Sequence, residues 1–423
     1  MSAHQLLLLS LQLGVLLGLA LTLGRLAIRL GTSAVVGELA AGVLLGPMLL
    51  GNLAPLADWL LPAEPAQWQL LDAFGQVGVL LLVGVAGMHI DLHLVRRKGA
   101  AVAWVSAGGL VLPLGLGIGA GLLLPAVLLG PEADRLVFSL FLGVALAVSA
   151  IPVIAKILLE LRMLHRNIGQ LTVSAAAVND IAGWMLLSVV AGMAVFGLRG
   201  DRLLLSIAAL VGVVGFAALV GRPLCRALFA LAARSGEPAV GLATAVVLVL
   251  LASAGTHALG LEPILGAFLV GILIGASGRM DPSWLTPLRT FVLAVLAPVF
   301  FATAGLQVDL TALAEPVVLV SALALLAVAV VSKFVGAYLG ALPARLSRWE
   351  GLALGAGLNA RGVIQVVVAT IGLRTGILGV EAYTVIVLIA VVTSAMAPPL
   401  LRYAVGRIAV TEEEHERQRV LAG

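Results

Sequence analysis

Apolar residues run along this chain in stretches of about 20, the length an α-helix needs to cross a bilayer, and turn residues or charges separate the stretches from end to end. Read at those boundaries, the pattern predicts thirteen membrane helices near 5–30, 33–51, 70–89, 99–129, 136–160, 168–197, 203–222, 238–259, 261–277, 288–306, 313–342, 351–373 and 380–404. The second and ninth, "SAVVGELAAGVLLGP" and "LEPILGAFLVGILIG", are short. A membrane β-barrel would alternate polar and apolar residues, whereas these runs are continuous. The fold class is therefore an all-α polytopic membrane protein. Composition agrees, with 61% hydrophobic and 11% charged residues against about 25% charged in soluble domains.

Charge then orients the spans. With the N-terminus outside, nineteen of the 25 Lys and Arg residues fall on the cytoplasmic side and only Arg135, Arg199, Arg202 and Arg374 outside. That bias is what the positive-inside rule requires, and one missed or invented span would reverse every later loop. The reading is a multi-pass cell (inner) membrane protein with a cytoplasmic C-terminus. Topology also accounts for the net charge of +4, so no nucleic-acid partner is implied. The first apolar run is too long, and lacks the basic flank, to be a cleavable signal peptide. A single Cys225 excludes an internal disulfide, and the six His have no metal-ligand spacing with a third partner.

Three ionisable groups belong to neither side. Asp180, in "SAAAVNDIAGW", is the only one between Arg166 and Arg199; Lys333 and Arg361 are equally isolated in the eleventh and twelfth spans. A charge at the centre of a membrane helix costs about 2.5–3.5 kcal/mol on insertion scales, which makes such a residue a functional candidate by default. The structural alternative for Asp180 is an ion pair with Lys333.

Thirteen spans divide into six, a linker and six, so the second half starts on the opposite side of the membrane, as an inverted repeat requires. The halves match in two places. Glu38 and Glu262 open short spans of small residues and read equally as structural or functional. The fifth and twelfth spans are both interrupted: "VALAVSAIPVIAKIL" at Ala150, Ile151 and Pro152, and "GAGLNARGVIQVVVATIGL" at Asn359, Arg361 and Gly362. Paired broken helices are the best sequence pointer to a transporter binding site. Their carbonyl ends would be compensated by Lys333 and Arg361, and their amide ends would suit Asp180. Proline is common in membrane helices without function, and Gly115, Gly117, Gly119 and Gly121 read as helix packing.

These motifs resemble the monovalent cation:proton antiporter superfamily, most closely its second family, and within it the plant-type cation/proton exchangers and the fungal potassium/proton antiporter. The residues that carry the resemblance are "VVGELAAGVLLGP", "AVSAIPVIAKILLELRML", "AVNDIAGW", "LEPILGAFLVGILIG", "APVFFATAGLQVDL", "VSKFVGAYLG" and "NARGVIQVVVATIGL", in order along nearly the whole chain. The resemblance implies two inverted six-helix repeats with crossing unwound helices. It implies a homodimer with dimerisation-domain helices in 1–98 and 236–310, a core in 99–200 and 311–406, a linker helix in 201–235 and a cytoplasmic tail in 407–423. It also implies that Asp180 carries the proton and the cation in turn. Asn179 stands where electrogenic relatives place an Asp partner for the lysine, and Gln365 where many relatives carry Glu.

One carboxylate serves exchange, because proton and monovalent cation (Na⁺ or K⁺) compete for the same anion. Asp180, the Asn179 carbonyl, the Ser149 hydroxyl and backbone carbonyls near Ala150 and Ile151 are the candidate oxygen ligands; an intrahelical hydrogen bond is the other reading of Ser149. One proton for one cation is electroneutral. No cofactor and no enzymatic constellation is expected. The alternative is a sodium-coupled symporter of a small organic anion, which would want more aromatic residues than the 5% present.

Overall fold

A computed structural model describes residues 2–30, 32, 34–46, 65–88, 92–131, 133–150, 153–154, 157–158, 161, 163, 166–196, 200–235, 237–277, 282–412 and 414. In chain order its α-helices are α1 (Ala3–Arg29), α2 (Ala34–Leu45), α3 (Pro65–Met88), α4 (Leu92–Leu123), α5 (Arg135–Ala147), α6 (Asn167–Phe196), α7 (Gly200–Phe216) and α8 (Arg222–Arg234). They continue as α9 (Pro238–Ala258), α10 (Pro263–Gly275), α11 (Pro282–Phe291), α12 (Ala297–Leu306), α13 (Pro316–Ala341), α14 (Arg348–Leu358), α15 (Val363–Arg374) and α16 (Val380–Val405). Among the described residues, nine helical segments are long and apolar enough to cross a membrane. Four shorter apolar helices, α2, α5, α10 and the 364–374 stretch of α15, lie in the second, fifth, ninth and twelfth predicted spans.

Local irregularities follow from proline. Short π-helical turns at Ala217–Gly221 and Val292–Leu296 each sit just before a proline in the first turn of the next helix, Pro223 and Pro298. A proline ring clashes with the carbonyl four residues earlier, and widening that turn relieves the clash. Gly99 has φ +38° at the start of the apolar part of α4, a left-handed conformation that a side chain would disfavour.

The chain forms two compact units, Met1–Ile90 with Ala191–Thr311, and Asp91–Val190 with Ala312–Gly423. In the first, α2 packs on α12 so tightly that a Cβ at Gly42 would land on the carbonyl of Ala302. Leu16, Ala20, Ala41, Leu71, Ala302 and Leu306 form its apolar centre. The lack of Cβ atoms likewise lets α4 close against α13 in the second unit, where Gly108 and Gly336 each face the other's carbonyl. Small residues at such crossings substitute van der Waals contact for a hydrophobic driving force that lipid cannot supply. The glycine ladder of α4 divides by face: Gly117 and Gly121 meet α5 at Gly143 and Ser139, while Gly115 and Gly119 have open space. Half of that ladder is helix packing.

One predicted boundary moves. The fourth span was expected to reach 129, but α4 ends at Leu123. The apolar residues beyond it pair as backbone instead, Gly130 N–H donating to Ile377 O (3.0 Å) and Gly379 N–H to Leu128 O (3.1 Å). The fifth span carries its predicted interruption at Ala150, Ile151 and Pro152; α5 ends at Ala147, and Val148 to Ala150 are non-helical. Ile151 and Pro152 themselves lie outside the described residues.

The segment after α16 folds back onto the start of α6. Glu414 pairs with Arg166 (Nε–Oε2 3.1 Å) and accepts the backbone N–H groups of Asn167 and Thr411. Arg166 also donates to the carbonyls of Ile408 (2.9 Å) and Ala409 (3.2 Å). An anion at the N-terminus of α6 satisfies otherwise unpaired amides and opposes the positive end of the helix dipole. Burial alone would push the Glu414 carboxyl up, but the Thr411 and Asn167 amides and the Arg166 guanidinium hold it below its ordinary value of 4.5. A depressed folded pKa stabilises at pH above the ordinary value and is lost as pH falls through the folded one. Glu414→Gln should therefore lower the thermal unfolding temperature of the purified protein at pH 7, at a cost of about 1–3 kcal/mol. The difference from the unmutated protein should shrink below pH 4.5, as read from unfolding curves across pH.

Candidate functional site

The site is built from two broken helices. Helix α5 is capped at its start by the Asp134 carboxylate, which accepts from Leu136 N–H (2.7 Å) and Val137 N–H (3.3 Å). At its other end Val148 turns extended (φ −66°, ψ 142°). The second break separates α14 from α15 at residues 359–362. Ser347 and Glu350 form a capping box that starts α14. Gly362 sits where a Cβ would come within 2.6 Å of Val153 Cγ2. The two breaks run against one another: Ala150 N–H donates to Ala360 O (3.4 Å), and the Ser149 hydroxyl donates to Leu358 O (3.0 Å).

A helix that stops inside a membrane leaves carbonyls with no water to satisfy them, and its C-terminus carries about half a negative charge. Both buried cations are directed at that end of α5. The Lys333 ammonium donates to Ala147 O, to Gly109 O (2.9 Å) and to Ser149 Oγ (2.9 Å). Its three protons match those three oxygens. Arg361 Nη2 donates to Leu146 O (2.8 Å) and to Ala329 O (3.2 Å). The backbone carbonyl of Arg361 accepts in turn from the hydroxyl of Ser394. Lys333 and Arg361 are both fully buried.

Asp180 lies on α6 at 1% exposure, with Asn179 fully buried beside it. Ser106 on α4 donates to Ala175 O (3.3 Å), fixing the register of α6 one turn earlier. One turn later, a Cβ at Gly183 would come within 2.6 Å of Val148 Cγ2, so α6 rests on the α5 break itself. Asn179 Nδ2 would stand 3.4 Å from a Cβ at Gly109, the residue whose carbonyl holds Lys333. Of the charges near Lys333, Arg361 opposes its positive charge and Asp180 favours it. Among the described residues of this unit the buried carboxylates are Asp180 and Glu414, and Glu414 lies outside the spans.

The structure thus brings Asp180, Asn179, Ser149, Ala150, Lys333, Arg361, Asn359 and Gly362 into one compact unit. Glu38 and Glu262 belong to the other, Glu38 against Gly24 and Glu262 just before α10. Of the two readings of Ser149, the intrahelical bond is not the one the structure has: the hydroxyl bridges the two breaks, donating to Leu358 O and accepting from Lys333. Sequence reading missed Ser394, whose only signal is the polar pair Thr393–Ser394 inside an apolar helix. It also missed the carbonyls of Gly109, Leu146 and Leu358, for which a sequence carries no signal at all.

The second unit thus holds buried neutral oxygens of Asn179 and Ser149 and the buried carboxylate of Asp180. Over 407 residues the chain is 28% identical to the Na(+)/H(+) antiporter NhaS4 of Synechocystis, covering 95% of this chain and 98% of that protein. It is 31% identical to Cation/H(+) antiporter 19 of Arabidopsis thaliana over 87% of this chain and 46% of that protein. Against K(+)/H(+) antiporter 1 of Saccharomyces cerevisiae it is 26% identical over 86% of this chain and 43% of that protein. The chain spans about half the length of the plant relatives it matches. Among solved structures, the sodium proton antiporter MjNhaP1 from Methanocaldococcus jannaschii superposes with a TM-score of 0.72 over 95% of this chain and all of the other, at 16% identity. That likeness shows the same helical fold. The transmembrane sodium/hydrogen exchanger family model matches residues 16–404, and the chain belongs to the sodium/hydrogen exchanger family.

Proposed function

We propose that the chain exchanges a monovalent cation, Na⁺ or K⁺, for H⁺ across the membrane by alternating access, with Asp180 carrying the two in turn. One observation carries this reading. Lys333 and Arg361 both donate to the carbonyl end of α5, and among the described residues in the spans of the second unit Asp180 is the buried carboxylate, a group whose charge a proton or a cation can neutralise in turn. A bare carboxylate crossing a dry core is costly, so translocation requires that Asp180 hold a proton or a cation. Asn179 Oδ1 and the remaining lone pair of Ser149 Oγ supply neutral oxygens beside it. Either ligand adds one positive charge to the same site, so the exchange is one for one and electroneutral. No cofactor enters the cycle.

The named activities of the Synechocystis and yeast relatives support this reading. The compact units support taking residues 99–200 with 311–406 as the mobile core and 1–98 with 236–310 as a dimerisation domain. The segment 201–235 is then the linker helix and 407–423 the cytoplasmic tail of a homodimer in the cell membrane, with its N-termini outside.

In proteoliposomes with an imposed pH gradient, Na⁺ or K⁺ should dissipate the gradient through the unmutated protein. Asp180→Asn should abolish that flux, by at least about a hundredfold, as expected for loss of an essential group. Clamping the membrane potential should leave the rate unchanged; a current that reverses with potential would remove the one-for-one stoichiometry.

Lys333→Gln separates a fixed counter-ion from a proton carrier. A glutamine amide cannot serve three oxygens with a full charge, so the unfolding temperature should fall by several degrees, in line with the ~3–5 kcal/mol of a broken buried charge interaction. Any residual exchange should stay electroneutral. A variant of normal stability with altered proton-to-cation stoichiometry would make Lys333 a carrier instead.

A further inference from the structure

Polar side chains at the crossing fall into two groups. The hydroxyls and the lysine are satisfied: Ser149, Lys333 and Ser394 have hydrogen-bond partners, Thr370 and Thr393 bond back along their own helices, and Arg361 is satisfied in part, at Nη2 but at neither Nε nor Nη1. The carboxamides are not. Asn179, Asn359 and Gln365 are each at least 99% buried, and neither polar atom of any of them has a hydrogen-bond partner. Buried polar groups without partners are rare because each costs free energy comparable to a lost hydrogen bond.

Asn359 is the one at the break. The carbonyls on either side of it, Leu358 and Ala360, are both taken by the opposite break, through Ser149 and Ala150. Its own N–H completes α14 by donating to Gly355 O and Gly357 O. Only the side chain is uncommitted. Leu358 Cδ1 and Asn179 Nδ2 approach the same point on Gly109, at 3.2 and 3.4 Å from where its Cβ would be. The residue before Asn359 and the residue before Asp180 therefore converge on one glycine. Gln365 is equally buried but sits inside α15, past the break.

We propose that Asn359 is a neutral ligand of the transported cation, its carboxamide oxygen replacing part of the ion's hydration shell at the break between α14 and α15. This rests on Asp180 being the carrier. The chemistry suits the stoichiometry: a carboxamide binds a hard cation through oxygen without binding a proton. It raises cation affinity while leaving one titrating group in the site. A carboxylate at the same position would add a second proton site and convert the exchange to an electrogenic one.

The test compares Asn359→Ala, Asn359→Asp and Gln365→Ala with the unmutated protein, by cation-dependent thermal stabilisation in detergent and by flux in proteoliposomes. Asn359→Ala should raise the cation KM and the midpoint of stabilisation about tenfold, the factor that one modest ligand contributes, while the maximal rate stays within about threefold. Gln365→Ala should leave both midpoints in place. Asn359→Asp should make transport carry current, and this arm decides the matter if the alanine variant does not fold. Unchanged midpoints in Asn359→Ala, equal shifts in Gln365→Ala, or electroneutral transport by Asn359→Asp would each overturn the proposal. Asp180→Asn is run alongside: if it still transports, the carrier reading has failed; if it is dead while Asn359→Ala binds normally, only the present inference has.

Discussion

The carbonyl end of α5 is the feature on which the rest of the second unit depends. A helix that stops at Ala147 inside a bilayer leaves acceptors that water cannot reach, and each would cost several kcal/mol if left bare. Two cations from elsewhere in the chain meet that need, Lys333 at Ala147 O and Arg361 at Leu146 O. Because they come from α13 and from the α14–α15 break, the solution also fixes where those elements cross α5. Ser149 closes the arrangement by joining both breaks to the lysine.

Electrostatics then follows from geometry. Two buried cations face the C-terminus of α5, worth about half a negative charge, and the carboxylate of Asp180 adds a further negative charge in the same unit. Lys333 and Arg361 both donate to backbone carbonyls, and in the proposed exchange the group that changes its ligand is the aspartate. On that reading the neutral carboxamide of the neighbouring Asn179 adds oxygen without adding titration. On the proposed reading the site has one exchangeable charge per cycle, a limit set by the side chains already engaged.

Much of this was legible in the sequence. Bilayer length and the near-absence of charge predict helices regardless of propensity, and three isolated ionisable residues predict a polar centre. What was not legible depends on contacts across more than a hundred residues. The break in α5 comes at 148 because its partners are at 333, 358 and 361, whereas the sequence offered Pro152 as the obvious interrupter. The apolar tail after Leu123 looks helical until the loop at 376–379 is known to pair with it. Glu414 stands in the run "TEEEHERQR", where nothing distinguishes it from its neighbours; only the folded position of Arg166 and Asn167 selects it.

The central claim is that proton and cation share Asp180, and proton release on cation binding tests it most directly. Calorimetric titration of the purified protein with Na⁺ or K⁺, repeated in buffers of different ionisation enthalpy, gives the number of protons displaced. The account predicts a release approaching one proton per cation bound at pH values where Asp180 is protonated. Cation binding that released no proton at any pH would contradict it.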